Sequence, residues 1–259
     1  MGMNPRLLRP MATGFNPRSI AGLAAWWDAS DSATITTDTG VSVWADKSGN
    51  GLNATQTVGN NQPLRSTLIN GRLALTFDGS NDSLNFTGVS RTDETMLVVA
   101  RMRDAAADTA NTNRYGTLLG AASTSRGLLM RSQYANDNML FDAAFNGFTA
   151  GVNRVLRNLG GARVGETPGD VQLNVYGIVR SAASGFEGFV NNQSVGTATT
   201  SQAQTLDRIG VSATATSYWI GEICEILLYS RPLTTLERTR ATDYLMRRWG
   251  ITAFTYTLT

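Results

Sequence analysis

The sequence has no histidine and a single cysteine, Cys224. Without histidine the chain lacks the commonest general base, a Ser-His-Asp triad and the imidazole ligands of metal sites. One cysteine cannot form an internal disulfide, and because Cys224 lies in an apolar run we predict that it is a small core side chain. No apolar run reaches 18 residues, so the sequence predicts no membrane-spanning helix and no membrane partner.

Charged residues are scarce as well, at 16% of the 259 residues, and Lys47 is the only lysine. The formal net charge is +2, and the arginines are scattered along the chain. Because neutralising nucleic-acid phosphates requires clustered positive charge, we predict no nucleic-acid partner. The first 15 residues contain no continuous apolar core, which predicts that the protein has no signal peptide and folds in a reducing cytoplasm.

Much of the chain consists of short segments in which apolar and polar residues alternate, and it contains 26 glycines. A period of two is typical of half-buried β-strands, and the chain is long enough for one large all-β domain. Asn191-Asn192 between two such segments predicts a tight hairpin turn, because asparagine tolerates positive φ. We predict strands over residues 24–27, 41–45, 73–77, 83–86, 96–102, 117–120, 127–131, 139–141, 172–180, 185–190, 194–199, 207–211 and 218–229.

One helix is predicted near the end of the chain. Thr234 and Glu237 have the spacing of a capping box, in which each side chain accepts a hydrogen bond from the backbone amide of the other residue. Gly250 is the predicted stop of this helix. The helix would turn one apolar stripe toward the strands, formed by Ala241, Tyr244, Leu245 and Trp249.

Four blocks of the sequence form an ordered set. Residues 22–56 contain WWD at 26–28, VSVW at 41–44 and the turn DKSGNG at 46–51. Residues 70–84 read NGRLALTFDGSNDSL, residues 206–210 read LDRIG, and residues 220–233 read IGEICEILLYSRPL ahead of the helix. In this order the blocks resemble laminin-G-like domains of the concanavalin A-like lectin/glucanase superfamily, especially those of bacteriophage virion proteins and bacterial surface proteins. Leu73 departs from the family pattern, since proline is usual there.

The resemblance implies an all-β jelly roll, in which two antiparallel sheets pack as a sandwich with the first and last strands side by side. One short C-terminal helix completes this expected fold. The expected divisions are an extended N-terminal arm (1–21), the jelly-roll domain (22–250) and a β-like C-terminal tail (251–259). The aromatics available for the core are Trp44, Phe77 and Trp219.

Glycoside hydrolysis is the enzymatic activity most closely associated with this resemblance. It needs two carboxyl groups facing one cleft, and the superfamily's glucanases carry them as Glu-x-Asp-x-Glu on one strand. The chain has no such run, and Glu222 and Glu225 are three residues apart, so they would face opposite sides of a regular strand. We therefore predict no catalytic residues and no enzyme. A glycoside hydrolase remains an alternative, because carboxylates on separate strands can converge.

Calcium is the one cofactor for which the resemblance suggests ligands, since related domains bind it with loop carboxylates and carbonyl oxygens. The candidate metal ligands are Asp46 and Asp78. Aspartate is also a standard turn former, so the same two residues are compatible with turns that hold no metal. The sequence predicts no other cofactor.

Surface glycans are candidate ligands of the loops and strand ends. Exposed aromatic rings can serve as platforms for sugar rings beside polar groups. Aromatic residues of a β-sandwich are also common core residues, so both roles stay open. The candidate glycan-binding residues are Tyr115, Tyr134, Phe148 and Tyr218.

The two ends of the chain are the predicted assembly elements. The arm is rich in proline but also carries apolar residues that a solvated tail does not need, and the tail alternates apolar residues with threonine. The arm is expected to dock on a neighbouring subunit, and the tail is expected to be either a final strand of this domain or a strand offered to another subunit. The residues predicted to make these contacts are Leu7, Leu8, Phe15, Phe254 and Tyr256.

The resemblance to virion proteins implies a function in a bacteriophage particle. The protein is expected to be a non-catalytic structural component located in the virion, either a capsid decoration or cement protein or a tail or fibre component. Its expected partners are other virion proteins, copies of itself and surface glycans. A carbohydrate-binding adhesion module is the alternative from another functional class.

Overall fold

The structure is a computed structural model, and it describes residues 14–102, 114–121, 124–132, 138–142, 154–158, 173–199, 203–212 and 218–252. These residues form 17 strands and one α-helix, α1 (Thr235–Trp249). The strands are β1 (Leu23–Asp28), β2 (Ile35–Thr37), β3 (Val41–Trp44), β4 (Ala54–Thr55), β5 (Leu64–Ile69), β6 (Arg72–Asp78), β7 (Leu84–Arg91), β8 (Glu94–Met102), β9 (Arg114–Ala121), β10 (Thr124–Ser132), β11 (Asn138–Asp142), β12 (Arg154–Asn158), β13 (Asn174–Ser181), β14 (Gly185–Val190), β15 (Gln193–Ala198), β16 (Gln204–Ile209) and β17 (Ile220–Tyr229).

The strands make two antiparallel sheets. Sheet I has eight strands in the order β15-β14-β13-β8-β17-β6-β5, with β1 also paired to β17. Sheet II has nine strands in the order β12-β11-β10-β9-β16-β7-β4-β3-β2. The two sheets and the single C-terminal helix form a jelly-roll sandwich, which confirms the predicted all-β fold class.

The first and last strands of the domain are neighbours, as the resemblance implies. Trp27 on β1 pairs with Ile226 on β17, and Asp28 pairs with Glu225. The backbone amide of Ala29 continues this contact by donating to the Cys224 carbonyl at 2.9 Å. The two ends of the domain sequence are therefore joined by backbone hydrogen bonds in sheet I.

The inner faces of the two sheets enclose the main apolar core, called here the inner core. Trp27, Trp44, Phe77 and Trp219 are buried in it, so the three aromatics predicted for the core are confirmed. The indole N–H groups of the three tryptophans have no hydrogen-bond partner among the described residues. Their stabilising contribution is therefore apolar packing, and each unsatisfied donor reduces it.

Helix α1 covers the outer face of sheet I and forms a second apolar cluster there, called here the outer core. Ala241, Leu245 and Trp249 of α1 belong to it, with Cys224 among the buried strand residues. The helix begins with the predicted capping box and ends at Gly250, whose φ is 66°. No helix in the part of the chain that the structure describes is long and apolar enough to cross a membrane.

The predicted hairpin turn is also confirmed. Asn191 and Asn192 have φ values of 48° and 67° between β14 and β15. Asn192 fastens this turn to helix α1, because its amide donates to Thr239 Oγ1 at 3.0 Å and accepts from Arg238 Nε at 2.9 Å. The hairpin at one side of sheet I is thereby fixed to the helix that covers the sheet.

The last residues of the predicted N-terminal arm pack against the same chain. Pro17–Ser19 form one 3₁₀ turn, Ile20 lies in the outer core, and the Tyr229 hydroxyl donates to the Pro17 carbonyl at 3.2 Å. The Phe15 ring lies 5.5 Å from the Tyr244 ring of α1. Phe15, predicted to dock on another subunit, thus has an apolar partner within its own chain. Residues 1–13, including Leu7 and Leu8, lie outside the described residues, as do Phe254 and Tyr256.

Four strands have no counterpart in the sequence prediction. β2 and β4 contain only three and two residues, which is too short for an alternating pattern to appear. β5 is an edge strand of sheet I in which Leu64 and Leu68 are exposed, so its apolar residues do not mark a buried face. β12, of five residues, is an edge strand of sheet II.

Candidate functional site

The residues of the sequence motifs meet on the outer face of sheet I, beside the C-terminal end of α1. Asp28 is buried there and accepts hydrogen bonds from Lys47 Nζ at 2.9 Å and from Arg248 at 2.6 Å. Lys47 also pairs with Asp31 at 2.7 Å. Burial alone would raise the pKa of Asp28, but the hydrogen bonds from Ser30 and Lys47 and the charge of Arg248 lower it.

Glu225 is the second buried acid of this group. Its Oε1 accepts from Trp26 Nε1 at 2.8 Å and from the Tyr244 hydroxyl at 2.9 Å, and its Oε2 accepts from Trp249 Nε1 at 2.7 Å. Arg248 Nε lies 3.1 Å from the same Oε2. Burial and the nearby charge of Asp28 raise the pKa of Glu225 to about 6, against the opposing effect of Arg248.

These contacts give the motif residues a structural role. Asp28 belongs to the first strand, Glu225 to the last, Lys47 to the turn at 46–51 and Arg248 to the closing helix. This cluster of four charged residues, called here the motif group, therefore joins four separate segments of the chain. Lys47 Nζ also lies 4.5 Å from the centre of the Trp26 ring, a cation–π distance. The motif that carries the family resemblance is therefore part of the scaffold.

A β-bulge in β17 changes the expected orientation of two glutamates. The pairing of β17 with β8 shifts register between Ile223 and Glu225. Ile223 and Ile226 face the inner core, and Cys224 faces the outer core. Glu222 and Glu225 therefore both face the outer side with Cys224, and the expectation of opposite faces was wrong because it assumed a regular strand.

The two glutamates do not form an open pair. Both side chains are fully buried, and Arg101 Nε donates to Glu222 at 2.9 Å while the donors of the motif group enclose Glu225. Burial, together with the charges of both glutamates, raises the pKa of the Cys224 thiol between them well above its usual value. A sugar ring could reach neither carboxylate without displacing helix α1 or these donors.

Asp46, a predicted metal ligand, is the centre of a structural turn. Its Oδ1 accepts from the backbone amides of Trp26 and Ser48, and its Oδ2 accepts from the Ser48 hydroxyl and the Leu52 amide. Four donors thus use the acceptor positions that a calcium ion would need. The contacts of Asp46 fit a turn that docks on β1.

Asp78, the other predicted ligand, starts a tight loop at the end of β6. Its Oδ1 accepts from the backbone amides of Ser80 and Asn81, while Asp82 accepts from the Asp78 amide at 2.9 Å. Asp78 lies opposite Ile220 of β17. Asp46 contacts Trp26 of β1, which lies opposite Leu227 of β17. Seven residues of strand separate these two points, roughly 20 Å, so Asp46 and Asp78 cannot share one ion. Among the described side chains, no group of three or more metal-binding residues comes together.

Asp82 should make stability depend on pH. Burial, with the charge of Asp78, raises its pKa from 3.8 to about 6. The folded protein therefore holds this proton more tightly than the unfolded chain, so the contribution of Asp82 is complete below about pH 4 and is lost as the pH rises through about 6. We expect Asp82→Asn, which keeps an acceptor for the Asp78 amide, to be more stable than the parent at about pH 8 by on the order of 1–2 kcal/mol. Urea unfolding at about pH 4 and pH 8 measures this, and an equal difference at both values would refute it.

The predicted glycan-binding aromatics are only partly described. Tyr134 and Phe148 lie outside the described residues, and Tyr115 lies in β9 where only the backbone is described. Tyr218 is partly exposed and forms an isolated bridge with Val211, just beyond the end of β16. Of the four, Tyr218 alone can therefore be placed, and it lies just past the end of β16.

That outer face carries a row of polar residues on neighbouring strands. Thr55 pairs with Asn85, Asn85 with Arg208, and Arg208 with Gly120. Thr55 and Asn85 are exposed, while their sequence neighbours Ala54 and Leu84 are buried in the inner core. Since adjacent strands lie about 4.8 Å apart, the row from Thr55 to Arg208 spans roughly 10 Å.

A bulge between β7 and β16 widens this polar row. The register shifts between Leu206 and Arg208, and because Leu206 and Ile209 both face the inner core, Asp207 and Arg208 both turn outward. Arg208 Nε donates to Asp207 at 3.0 Å. Gly88 lies beside them and has no side chain. A Cβ atom at this position would lie 3.0 Å from the Thr205 side chain. We call Thr55, Asn85, Thr205, Asp207 and Arg208 the sheet II patch.

The sequence does not reveal the sheet II patch. Its residues come from three strands, and they become neighbours only through strand pairing. The alternation around Asn85 indicates an outward position, but nothing in the sequence places Arg208 opposite it. Leu206 to Gly210 even belongs to a block of the family resemblance, which draws attention to the strand as scaffold.

A buried ion pair closes one end of the sandwich. Glu94 on β8 and Arg180 on β13 are cross-strand partners, and Arg180 donates to Glu94 with both side chains almost completely buried. Burial raises the pKa of Glu94, against the opposing charges of Arg180 and Arg91. The pair points into the same space as Met96 and Ile178 of the inner core, so it is a polar end to an otherwise apolar interior.

Comparisons with known proteins place the fold. The sequence matches no protein-family model and no curated protein. Trypanosoma rangeli sialidase resembles it with 15% identity and a TM-score of 0.54, over 88% of this chain and 33% of the sialidase. The Botulinum neurotoxin serotype D ligand binding domain in complex with N-acetylneuraminic acid resembles it with 13% identity and a TM-score of 0.58, over 88% of this chain and 54% of that one. The binding domain of Paraclostridial Mosquitocidal Protein 1 has 9% identity and a TM-score of 0.58, over 89% of this chain and 53% of that one.

These similarities concern the fold alone, because the identities are all low. The chain spans about a third of the length of the sialidase and about half of the length of the two toxin domains. Each match extends over most of this chain, so it includes both sheets of the sandwich. The chain has a jelly-roll sandwich fold.

Proposed function

We propose that this protein is a non-catalytic glycan-binding domain and that the sheet II patch is its binding surface. The observation that carries the proposal is the contrast between the two outer faces. The outer face of sheet I is covered by α1 and by the outer core, whereas that of sheet II presents exposed Thr55 and Asn85 beside Arg208. The sheet II patch is thus a set of polar groups held in place by a rigid sheet.

The chemistry of the patch suits sugar hydroxyl groups. Asn85 offers an amide that both donates and accepts, Asp207 accepts, and Arg208 has donors beyond the one bonded to Asp207. Tyr218, just past the end of β16, can supply an aromatic face. Three described polar side chains with fixed spacing and one nearby ring are the usual elements of a shallow sugar site.

The structural relatives support this proposal. The neurotoxin domain was solved with N-acetylneuraminic acid, and a Trypanosoma rangeli sialidase structure (16% identity, TM-score 0.53) was solved with sialic acid. Both are sugar complexes of proteins with a related fold. We therefore propose glycans, including acidic sugars, as the ligand class for this chain.

We further propose that the protein catalyses no reaction. The burial of Glu222 and Glu225, and the donors around each of them, argue against a pair of carboxyl groups acting on one substrate. Binding without metal is part of the same proposal, since the contacts of Asp46 fit a structural turn. A glycoside hydrolase remains the alternative if activity on a polysaccharide is found.

Loss of Arg208 should weaken glycan binding. The full chain is first applied to a glycan array, and the best ligand is then titrated by calorimetry with calcium and with a chelator. We expect Arg208→Ala to weaken binding by about tenfold, because one charged hydrogen bond contributes about 1.5 kcal/mol. Arg240→Ala, an exposed arginine of α1 on the other side of the sandwich, is the matched control and should bind like the parent. Equal binding by both variants, or no glycan bound at all, would reject the patch.

We propose a bacteriophage virion as the setting, on the basis of the sequence resemblance. The domain would fold in the host cytoplasm, join the particle as a decoration, cement, tail or fibre component, and present the sheet II patch outward. Its partners would be other virion proteins and copies of itself. Glycan binding on a host or environmental surface would then be its contribution to the particle.

Residues 1–13 should be needed for incorporation into that particle but not for folding. The packing of Phe15, Pro17 and Ile20 on α1 and β17 remains in a chain that starts at residue 14. We expect the shortened chain to unfold at the same temperature as the parent and to be missing from purified particles. Incorporation at the parental level would rule out a docking role for residues 1–13.

A further inference from the structure

The polar row of the sheet II patch continues across two more strands. Val43 on β3 is the cross-strand partner of Thr55 on β4, and Thr36 on β2 is the partner of Val43. Cross-strand partners lie on the same face of a sheet, so Thr36 and Val43 face outward with Thr55. Thr36 is exposed and Val43 is half-buried, whereas Trp44, next in the sequence, faces the inner core. The full line, called here the cross-strand row, is Thr36, Val43, Thr55, Asn85 and Arg208.

The cross-strand row has one residue on each of five adjacent strands, in the order β2-β3-β4-β7-β16. Adjacent strands lie about 4.8 Å apart, so the four intervals of the row span roughly 19 Å. This length exceeds that of a single sugar, and an extended glycan chain advances by a distance similar to the strand spacing with each unit. Four of the five side chains are polar, and Val43 offers an apolar contact for the face of a sugar ring. The row therefore fits a chain with one sugar unit for each strand.

One end of the cross-strand row is closed. Gly120 on β9 lies opposite Arg208 and faces outward with it, yet Gly120 is buried. A Cβ atom at Gly120 would lie 3.2 Å from Arg208 Cγ and would collide with the carbonyl oxygen of Val211. The chain turns at Gly210, whose φ is 84°, and Val211 then forms a bridge with Tyr218. The Arg208 side chain and the backbone at Val211 thus cover β9, and the row stops at Arg208.

The opposite end of the cross-strand row is open. In the described part of the chain, β2 is the last strand of sheet II and pairs with β3 alone. Thr36 and the three residues that follow it, 37–39, are all exposed. A chain that lies along the row can therefore continue past Thr36 into solvent.

We propose, on the basis of the glycan-binding function proposed above, that the cross-strand row binds the end of a linear glycan chain. The terminal sugar lies at Arg208, which is held in place by its hydrogen bond to Asp207, and Tyr218 is the nearest described aromatic ring beyond it. The rest of the chain crosses the strands one by one and leaves at the edge formed by β2. A chain bound by its middle would have to pass through the backbone at Val211. The ligand class is therefore the ends of polysaccharides and oligosaccharides.

Chain length and chain polarity test the proposal together. The probe is an array of linear neutral and acidic homo-oligosaccharides of one to six sugar units, each attached once through either end. For the sugar that binds best, affinity should rise at least tenfold from two units to five and then stay constant. Only one of the two attachments should support binding, because the closed end has no room for a linker.

The outcomes separate this proposal from the glycan-binding function itself. Equal affinity for single sugars and long chains would overturn the cross-strand row while leaving a glycan site at the sheet II patch. Equal binding through both attachments would show that the chain passes beyond Arg208, and this result would overturn the closed end. If no oligosaccharide binds, the glycan-binding function fails and the cross-strand row fails with it.

A pair of threonine variants tests the open end of the row. Thr36→Ala should weaken binding of the six-unit chain about threefold and leave the two-unit fragment unchanged, because two units at Arg208 do not reach β2. Thr37→Ala is the matched control, since Thr37 lies on the same strand but pairs with Val41, which faces the inner core. Calorimetric titration measures both variants. Equal effects of the two replacements, or equal effects of Thr36→Ala on both chain lengths, would overturn the proposal.

Discussion

Replacing Glu225 by alanine should lower the free energy of unfolding by about 3–5 kcal/mol, since it breaks a buried ion pair from one side. Three neutral donors, from Trp26, Tyr244 and Trp249, would lose their acceptor, and Arg248 would lose one of its two carboxylate partners while keeping Asp28. Each kcal/mol shifts the unfolding temperature of a chain of this size by about 2–4 °C, so a decrease on the order of 10 °C is expected. Calorimetry at neutral pH measures it.

Two control variants separate the loss of the carboxylate from other effects. Glu225→Gln keeps the shape and one acceptor oxygen, so its loss should fall between those of the parent and the alanine variant. Arg247→Ala, which removes an exposed arginine paired only with Asp243 on the same helix, should change stability by about 0.5 kcal/mol or less. A loss below about 1 kcal/mol for Glu225→Ala would show that the motif group is not a major link between the segments.

Removing Glu94 alone should destabilise the fold as strongly, by about 3–5 kcal/mol, because it breaks a buried ion pair from one side. The side chains of Glu94 and Arg180 are 1% and 0% exposed, so water cannot replace the lost partner. Glu94→Ala is the variant, and urea unfolding of the variant and the parent measures the difference.

The double replacement of this pair provides the contrast. Glu94→Met combined with Arg180→Met removes both charges and fills the space with apolar atoms next to Met96 and Ile178. Such replacements are often neutral or stabilising, so the double variant should recover most of the stability that Glu94→Ala loses. If the double variant is less stable than Glu94→Ala, the ion pair contributes more than the cost of burying it, and the account of this end of the core is wrong.

Local features of the fold could be predicted from the sequence because their causes are local. The capping box at Thr234 and Glu237 depends on residues three apart, and the turn at Asn191-Asn192 depends on the tolerance of asparagine for positive φ. The pairing of β1 with β17 is not local, and it followed from the resemblance instead of the residue pattern.

Two of the β-bulges, in β17 and beside β16, show why the rest could not be predicted. A bulge is defined by the register between two strands, which the sequence of one strand does not contain. The bulge near Cys224 turns Glu222 and Glu225 to the same side, and the one near Asp207 turns Asp207 and Arg208 outward. The first determines how the acids of β17 are enclosed, and the second forms part of the sheet II patch.

The most recognisable residues of the sequence thus differ from those proposed to bind a ligand. Asp28, Lys47 and Glu225 bond to one another's segments and are largely enclosed. Asn85 lies in none of the four sequence blocks and Arg208 lies in the LDRIG block, yet the two lie side by side on the outer face of sheet II. Most of the sequence motifs here mark residues that hold the sandwich together, and the surface proposed to bind the ligand is defined by strand pairing.

The most direct test of whether the sheet II patch, and not the motif group, binds the ligand compares the glycan affinity of two single variants. Lys47→Met changes the motif group at its solvent-accessible side, and Asn85→Ala changes the centre of the sheet II patch. Calorimetric titration with the glycan found on the array should show parental affinity for Lys47→Met and about tenfold weaker binding for Asn85→Ala. Weakened binding by Lys47→Met with parental binding by Asn85→Ala would place the ligand at the motif group and contradict the account.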